Sequence, residues 1–332
     1  MDSVWSAEDE AIIATNTDAT ECKRCAVELG YWKDEYICYF AKRGERKAPE
    51  INRGYYARVR AMEMFIHQFL ERCGTKCQII NLGCGFDTLY WRLKDTTQAV
   101  SNFIELDFPA VTSKKCHIIK RNKQLLEKIC KEDRTGSAAR CVHWSPADGE
   151  VALRGGELHA DGYHLLGCDL RCPGEVRRKL AAGGAAGALP TLLLAECVLV
   201  YLRPDAADAL LRELAAAFPR VVLLVYEQCN LADRFGAVMR DQLAARGVPA
   251  PAPATHALAP PQQAARLLAL GFDAARAWDM DAVWRALPED DRARAERLEM
   301  LDERELLLQL NRHYALTVAT RGALFADLDL NA

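Results

Sequence analysis

The sequence predicts an α/β fold built on a mostly parallel sheet with helices on both faces. Three observations carry that expectation. Apolar runs of strand length recur at 77–82, 101–106, 163–168, 191–199 and 220–226. Segments of helical period separate them at 87–94, 109–131, 173–182 and 204–217, and this alternation is the pattern of strand–helix–strand crossovers. With 332 residues, half of them hydrophobic, the chain can also bury one large core or two modest ones.

Taken in order, residues 1–20 ("MDSVWSAEDEAIIATNTDAT") are acidic and polar, and read as a flexible terminus. Cys22 and Cys25 form a lone CxxC without a second pair or a well-spaced His, which fits a helical surface pair better than zinc. "GYYARVRAMEMFIHQFL" places Val59, Met62, Phe65, Ile66, Phe69 and Leu70 on one helical face. The strands and helices of the sheet region follow, the last helix introduced by Pro204 near its first turn. Residues 134–162 and the Gly/Ala tract at 181–188 read as loops. After Glu227 the pattern becomes helical at 231–246, 260–270 and 281–310, interrupted by the Pro/Ala run at 249–261. It ends in a strand-like "HYALTVATRG", expected as an antiparallel edge strand. The expected organisation is one domain over 21–332, with the helices of 21–72 and an insertion at 228–310 forming a lid over a cleft.

Charge and composition narrow the function. Lys and Arg total 43 against 46 acidic residues, so the net charge of −3 gives no field that draws in nucleic acid. The start has no apolar targeting core, and the longest apolar stretch, "LPTLLLAECVLVYL", contains Glu196 and is too short to span a bilayer. A cytoplasmic protein is expected. Thirteen cysteines, many in apolar contexts, fit reduced thiols rather than a disulfide framework.

The stretch with most chemical content is "CQIINLGCGFDTLYWRL" at 77–93, in which Gly83 and Gly85 join a strand to a helix. Such a turn lets the backbone and helix-start amides approach a ligand. A dinucleotide site would carry a third glycine at position 88, but Thr stands there, beside Asp87, and pyrophosphate disfavours a neighbouring carboxylate. S-Adenosylmethionine has no phosphate and carries a sulfonium and an ammonium, so nearby acids suit it. Taken alone, the turn also fits a plain strand–turn–helix corner.

Three further acids fall near successive strand ends. Asp107 closes "NFIELDFP", 24 residues beyond Gly83, where a carboxylate can accept hydrogen bonds from two ribose hydroxyls or simply cap the next helix. Asp169 ends "HLLGCDL", where it can take an adenine amino group while the Leu170 N–H meets a ring nitrogen. Glu196 lies in an apolar strand, and an acid there is costly to bury without a partner, which a cationic ligand would supply. Three acids along one sheet edge are more specific than the glycine turn.

Together, "ERKAPEINRGYYARV", "CQIINLGCGFDTLYWRLKD", "ELDFPAV", "LPTLLLAECVLVYL", "YEQCNLADRFG" and "LDERELLLQLNRHY" resemble the leucine carboxyl methyltransferases, which methylate the C-terminal leucine of the protein phosphatase 2A catalytic subunit. The resemblance implies a Rossmann-like class I methyltransferase fold, with a seven-stranded sheet, a reversed edge strand and a lid. It implies S-adenosylmethionine as donor, S-adenosylhomocysteine as product and no metal. By position it implies donor contacts from Lys23, Arg58, Gly83, Gly85, Asp107, Asp169, Leu170 and Glu196, and the phosphatase as partner, with regulation of its holoenzyme assembly as the outcome. Cys84 departs from the smaller residue usual between the glycines. A related branch that modifies a tRNA base carries a long repeat domain, and a chain ending at 332 disfavours it.

The basic stretch at 42–58 divides. Lys42, Arg43, Arg46 and Lys47 read as a solvated face, whereas Arg53 and Arg58 sit beside aromatic or apolar positions where a guanidinium can grip a carboxylate. Arg58 matches the donor carboxylate by resemblance; Arg53 suits either carboxylate less well. Tyr201, five residues after Glu196, suits positioning of the acceptor oxygen or plain packing. Arg58, Glu196 and Tyr201 are therefore the expected catalytic set. A chain-terminal carboxyl has a pKa of about 3.3 to 3.7, so it is already the nucleophile at neutral pH and needs no general base. The sequence leaves two competing readings: a dehydrogenase on the same sheet, and a binding protein that holds the phosphatase without turnover.

Overall fold

The computed structural model describes residues 5–96, 100–130, 151–251, 258–302 and 304–330. Three helices, α1 (Ala7–Glu28), α2 (Ile37–Phe40) and α3 (Pro49–Cys73), precede strand β1 (Gln78–Leu82). Then come α4 (Leu89–Asp95), β2 (Asn102–Asp107), α5 (Pro109–Arg121), α6 (Lys123–Ile129), β3 (Val151–Arg154), β4 (Glu157–Ala160) and β5 (Tyr163–Gly167). The chain continues through α7 (Pro173–Ala182), β6 (Thr191–Glu196), α8 (Pro204–Ala217), β7 (Val221–Gln228), α9 (Arg234–Ala245) and α10 (Pro260–Ala269). Last are β8 (Ala274–Asp279), α11 (Met280–Ala286), α12 (Glu289–Leu298), α13 (Arg304–Arg312) and β9 (Tyr314–Arg321).

The strands form one sheet in the order β3-β4-β5-β2-β1-β6-β7-β9-β8. β5, β2, β1, β6 and β7 run parallel, so their carboxyl ends share one edge. Both faces are covered, which is why these strands read as continuous apolar runs. Alternate residues supply two cores: Ile79, Leu192 and Leu224 pack on the side of α3 with Phe65 and Phe69, while Ile80, Leu193 and Leu223 pack with Leu210 and Leu214 of α8. The α3 face expected from periodicity is buried at all six positions.

The structure departs from the sequence reading in several places. Among the described residues the sheet has nine strands rather than seven, and the reversed strand is not at the edge. β9 runs antiparallel between β7 and β8, and β8 takes the edge. β8 alternates weakly and is only half buried, so its apolar signal is poor, and it lies inside the segment expected to be a lid. The opposite edge is extended by the β3–β4 hairpin, which falls within 134–162, expected as loop; its turn uses Gly155 and Gly156, both at positive φ. Residues 131–150, and 252–257 of the Pro/Ala run, lie outside the described residues.

The helix expected over 109–131 is two helices, broken where Asn122 is extended and its side chain bonds back to Ile118 O. The helical stretch expected over 281–310 is three, with Pro288 ending the first crossing. The strand expected to reach 199 stops at Glu196, because Cys197 turns to φ 57. The terminus expected to be flexible is helical from Ala7. Ser6 Oγ accepts from Asp9 N while the Asp9 carboxylate accepts from Ser6 N, a reciprocal cap that fixes the helix start.

Candidate active site

A cavity of about 340 Å³ opens at the carboxyl ends of the parallel strands, where doubly wound sheets place their ligands. The β1–α4 turn forms its floor, and the amides that lead into α4 already have partners. Gly85 N donates to Asp107 Oδ2 at 2.7 Å, Phe86 N to Asn16 Oδ1 at 2.9 Å, and Thr88 N and Leu89 N to Asp87 Oδ1 at 2.7 and 3.2 Å. Those amides, expected to face a ligand, are spent on carboxylates and an amide oxygen. The turn is thus unfit for pyrophosphate, as Asp87 suggested.

Gly83 and Gly85 are required for a more local reason. Both have positive φ, at 61° and 49°. A Cβ on Gly83 would lie 2.5 Å from Val198 Cγ2, and one on Gly85 would lie 2.4 Å from Asn16 Oδ1. The turn is therefore clamped between the loop after β6 and helix α1. Cys84 points away into the core on the α3 side, with its thiol pushed up by burial, and lines the cavity only in part.

At the centre lies a compact set of alternating charges. Arg58 Nε is 2.5 Å from Glu196 Oε2; Lys23 Nζ is 3.7 Å from the same oxygen and 4.0 Å from Asp87 Oδ1. Burial raises Asp87 and Glu196, but the cations outweigh it: Lys23, Arg92 and Lys115 bring Asp87 down to about 2, and Lys23 with Arg58 holds Glu196 below its usual range. The Arg58 guanidinium stacks 4.6 Å from the Tyr226 ring, which itself stacks on Tyr314. The structure thus brings Lys23, Arg58 and Glu196 together, and adds Asp87 as their fourth member.

Asp107 ends β2 and lies 9% exposed on the cavity wall. Burial pushes it up to about 6, against the bonds from Gly85 N and Phe108 N. Asp169 lies two residues beyond β5, with both oxygens engaged by the Arg171 guanidinium, which also reaches Asp9 of α1 at 2.7 Å. Leu170 is buried beside it, and Tyr201 lines the cavity with its hydroxyl proton held far more tightly than usual by burial. Arg53 is not in this set. Its Nη2 donates to the carbonyls of Glu296 and Glu299, so it fastens α3 to the end of α12. Arg46, read as solvated, pairs with Glu299 at 2.8 Å.

Several participants escaped the sequence reading. Beneath the turn, Lys115 and Glu105 form a fully buried ion pair at 2.6 Å; Tyr163 donates to Glu105 at 2.7 Å and Lys115 to Asp87 O at 2.8 Å. Glu105 carried the same signal as Glu196, an acid within an apolar strand. Asn16, Asp9 and Arg171, which bring α1 over the cavity, carried none.

Comparison with known proteins identifies the family. A model of the leucine carboxyl methyltransferase family matches residues 11–215. Leucine carboxyl methyltransferase 1 of Bos taurus is 40% identical over 96% of this chain and 92% of its own length. The chain belongs to the leucine carboxyl methyltransferase family. It is accordingly an S-adenosylmethionine-dependent methyltransferase with the Rossmann-like class I fold, and the dehydrogenase reading falls. The Arabidopsis thaliana homologue of leucine carboxyl methyltransferase 1 is 36% identical over 95% of this chain and 90% of its own length. The tRNA wybutosine-synthesizing protein 4 of Homo sapiens is 34% identical over 94% of this chain but only 44% of its own length.

Proposed function

We propose that this methyltransferase esterifies the C-terminal leucine carboxylate of a protein phosphatase 2A catalytic subunit, and so acts on holoenzyme assembly in the cytoplasm. The observation that carries the reading is the alternating set Lys23, Asp87, Arg58 and Glu196 at the cavity centre. A zwitterionic amino-acid end next to a sulfonium presents just such a mixture of charges. The remaining walls fit the rest of the donor: Asp107 for the ribose hydroxyls, and Asp169 with the Leu170 amide for adenine. The cavity volume is in the range of small-molecule clefts.

S-Adenosylmethionine supplies an electrophilic methyl group, and the residues of this chain need only bind and align. Arg58 and Lys23 offer the cations for a donor carboxylate, Glu196 and Asp87 the anions for its ammonium. Tyr201, Tyr55 and Tyr314 line the side of the cavity left for an acceptor terminus. Holding an ionised carboxylate in line supplies on the order of 7 to 11 kcal/mol through proximity and orientation. We assign α1–α3 and the helices after β7 as the cover that excludes water, since Asn16 and Lys23 already reach the floor. No described helix is long and apolar enough to cross a membrane, which is compatible with an acceptor in solution.

Two experiments test the reading. Calorimetric titration should show S-adenosylhomocysteine binding and no NADH binding. Purified phosphatase catalytic subunit should accept labelled methyl, and deletion of its terminal leucine should abolish transfer; label retained after deletion would contradict the acceptor assignment.

A further inference from the structure

Glu227, next to last in β7, is 6% exposed, and its Oε1 accepts from Val198 N at 3.2 Å and Val200 N at 3.0 Å, with the Leu199 amide bonded to the same carboxyl. These amides form the turn that follows β6. That turn opens on Cys197 at φ 57, a left-handed conformation that is strained for a residue with a Cβ and persists only where its surroundings hold it. Two fasteners are visible: Cys197 N donates to Tyr226 O at 2.7 Å, and Glu227 gathers the amides that follow. Val198, Leu199 and Val200 have no side-chain acceptor of their own.

The turn carries much of the cavity wall. Glu196, Cys197, Val198 and Tyr201 all line it, and Val198 presses on Gly83 so closely that no Cβ would fit between them. One end of the turn thus abuts the glycine turn and the other presents Tyr201. We propose that Glu227 is a positioning residue: acting through the 197–201 turn, its carboxylate sets Val198 against the glycine turn and Tyr201 toward the acceptor. The inference rests on the functional reading above.

The charge on Glu227 matters because charge-assisted bonds to amides are roughly twice as strong as neutral ones. It also has a cost. Burial pushes Glu227 up to about 7, opposed by the turn amides and by Arg266 of α10. Arg266 is itself held by Asp208 of α8 at 2.6 Å, and Cys197 and Tyr201 of the turn also face Glu227. The folded value lies above that of an unfolded glutamate. Stability from this group is therefore full below about pH 4 and is lost as pH rises through the folded value near 7. The ionised side chain destabilises the fold while tightening the turn.

Glu227→Gln separates these two effects, since it keeps an oxygen for the amides and removes the charge. At pH 8 the variant should melt at a higher temperature than wild type. Amides 198–200 should nonetheless exchange faster, and single-turnover methyl transfer should be slower by about tenfold. The wild-type rate should rise between pH 6 and 8, and the variant's rate should stay flat. A Gln variant that loses melting temperature and rate together has lost a structural residue, which overturns the proposal, as does an unchanged rate or unchanged exchange at 198–200. If wild type transfers no methyl to the phosphatase, the functional reading fails. Glu227 is then judged by exchange at 198–200 and by S-adenosylhomocysteine affinity, which should weaken several-fold in the Gln variant if it positions the turn and stay unchanged if it does not.

Discussion

The floor and the cover of the cavity are built by opposite means. The floor is a sheet edge whose acids are held by backbone amides and buried cations: Asp107 by Gly85 and Phe108, Asp87 by Thr88 and Leu89, Glu105 by Lys115. Helix α1, one part of the proposed cover, is tied down by side-chain contacts nearer the surface. These are Asn16 to Phe86 N, Asp9 to Arg171, and Asp18 to Arg246 of α9. Buried, low-dielectric contacts fix geometry at a high energetic stake, whereas surface pairs are worth little and exchange readily with water. The floor is therefore the more tightly fixed of the two, and the contacts of α1 the more easily exchanged.

The largest expected effect breaks the floor. Lys115→Met leaves Glu105 buried without its partner and should cost about 3 to 5 kcal/mol in denaturant unfolding. Adding Glu105→Leu should recover much of that loss, because replacing a buried pair by apolar groups is often nearly neutral. A double variant as unstable as the single one would show that the pair contributes more than its own burial.

Next in size is Arg58→Ala, which removes one cation from the central set and leaves Glu196 with Lys23 alone at 3.7 Å. Donor affinity should fall by about 2 to 5 kcal/mol in calorimetry while the protein stays folded. Arg53→Ala should do the reverse, lowering stability with donor affinity unchanged, since its bonds go to carbonyls of α12. Equal effects of the two arginines on affinity would erase the distinction between site and scaffold drawn here.

Asp107 gives a pH test of intermediate size. Its folded value near 6 exceeds that of an unfolded aspartate, so its contribution to stability is complete below about pH 4 and lost as pH rises through 6. Ribose hydroxyls favour the ionised form. Affinity for S-adenosylhomocysteine should therefore decline as pH falls from 7 to 5, and Asp107→Asn should bind weakly with no such slope. The smallest effect belongs to the cover: Arg171→Ala should cost under about 1 kcal/mol of stability, because the guanidinium is 38% exposed, yet speed exchange along the first turns of α1.

The same contrast decides what the sequence could reveal. Asp107, Asp169 and Glu196 stood out because each interrupts or ends an apolar strand, and a strand end on a parallel sheet has one place to go. Arg58 stood out by its neighbours on a buried helix face. Asn16 and Asp9 looked like any polar residues in an acidic terminus, since their roles depend on where α1 docks, a tertiary fact without a local pattern. β8 was missed because a half-buried edge strand has little apolar alternation, and Arg53 misled because a guanidinium beside aromatics serves carbonyls as readily as carboxylates. Glu227 lay in a quoted motif, but only the left-handed Cys197 across from it gives that carboxylate a task.

On the proposed reading the acceptor is a free leucine carboxylate, aligned and not activated by a base. That reading is tested most directly by offering the enzyme two forms of the phosphatase catalytic subunit, one with its native terminus and one with that terminus amidated, under single-turnover conditions with labelled donor. The native form should carry a base-labile methyl ester, and the amidated form should receive no label. Label of equal amount on the amidated form, or label that survives mild base, would place the methyl elsewhere and contradict the reading.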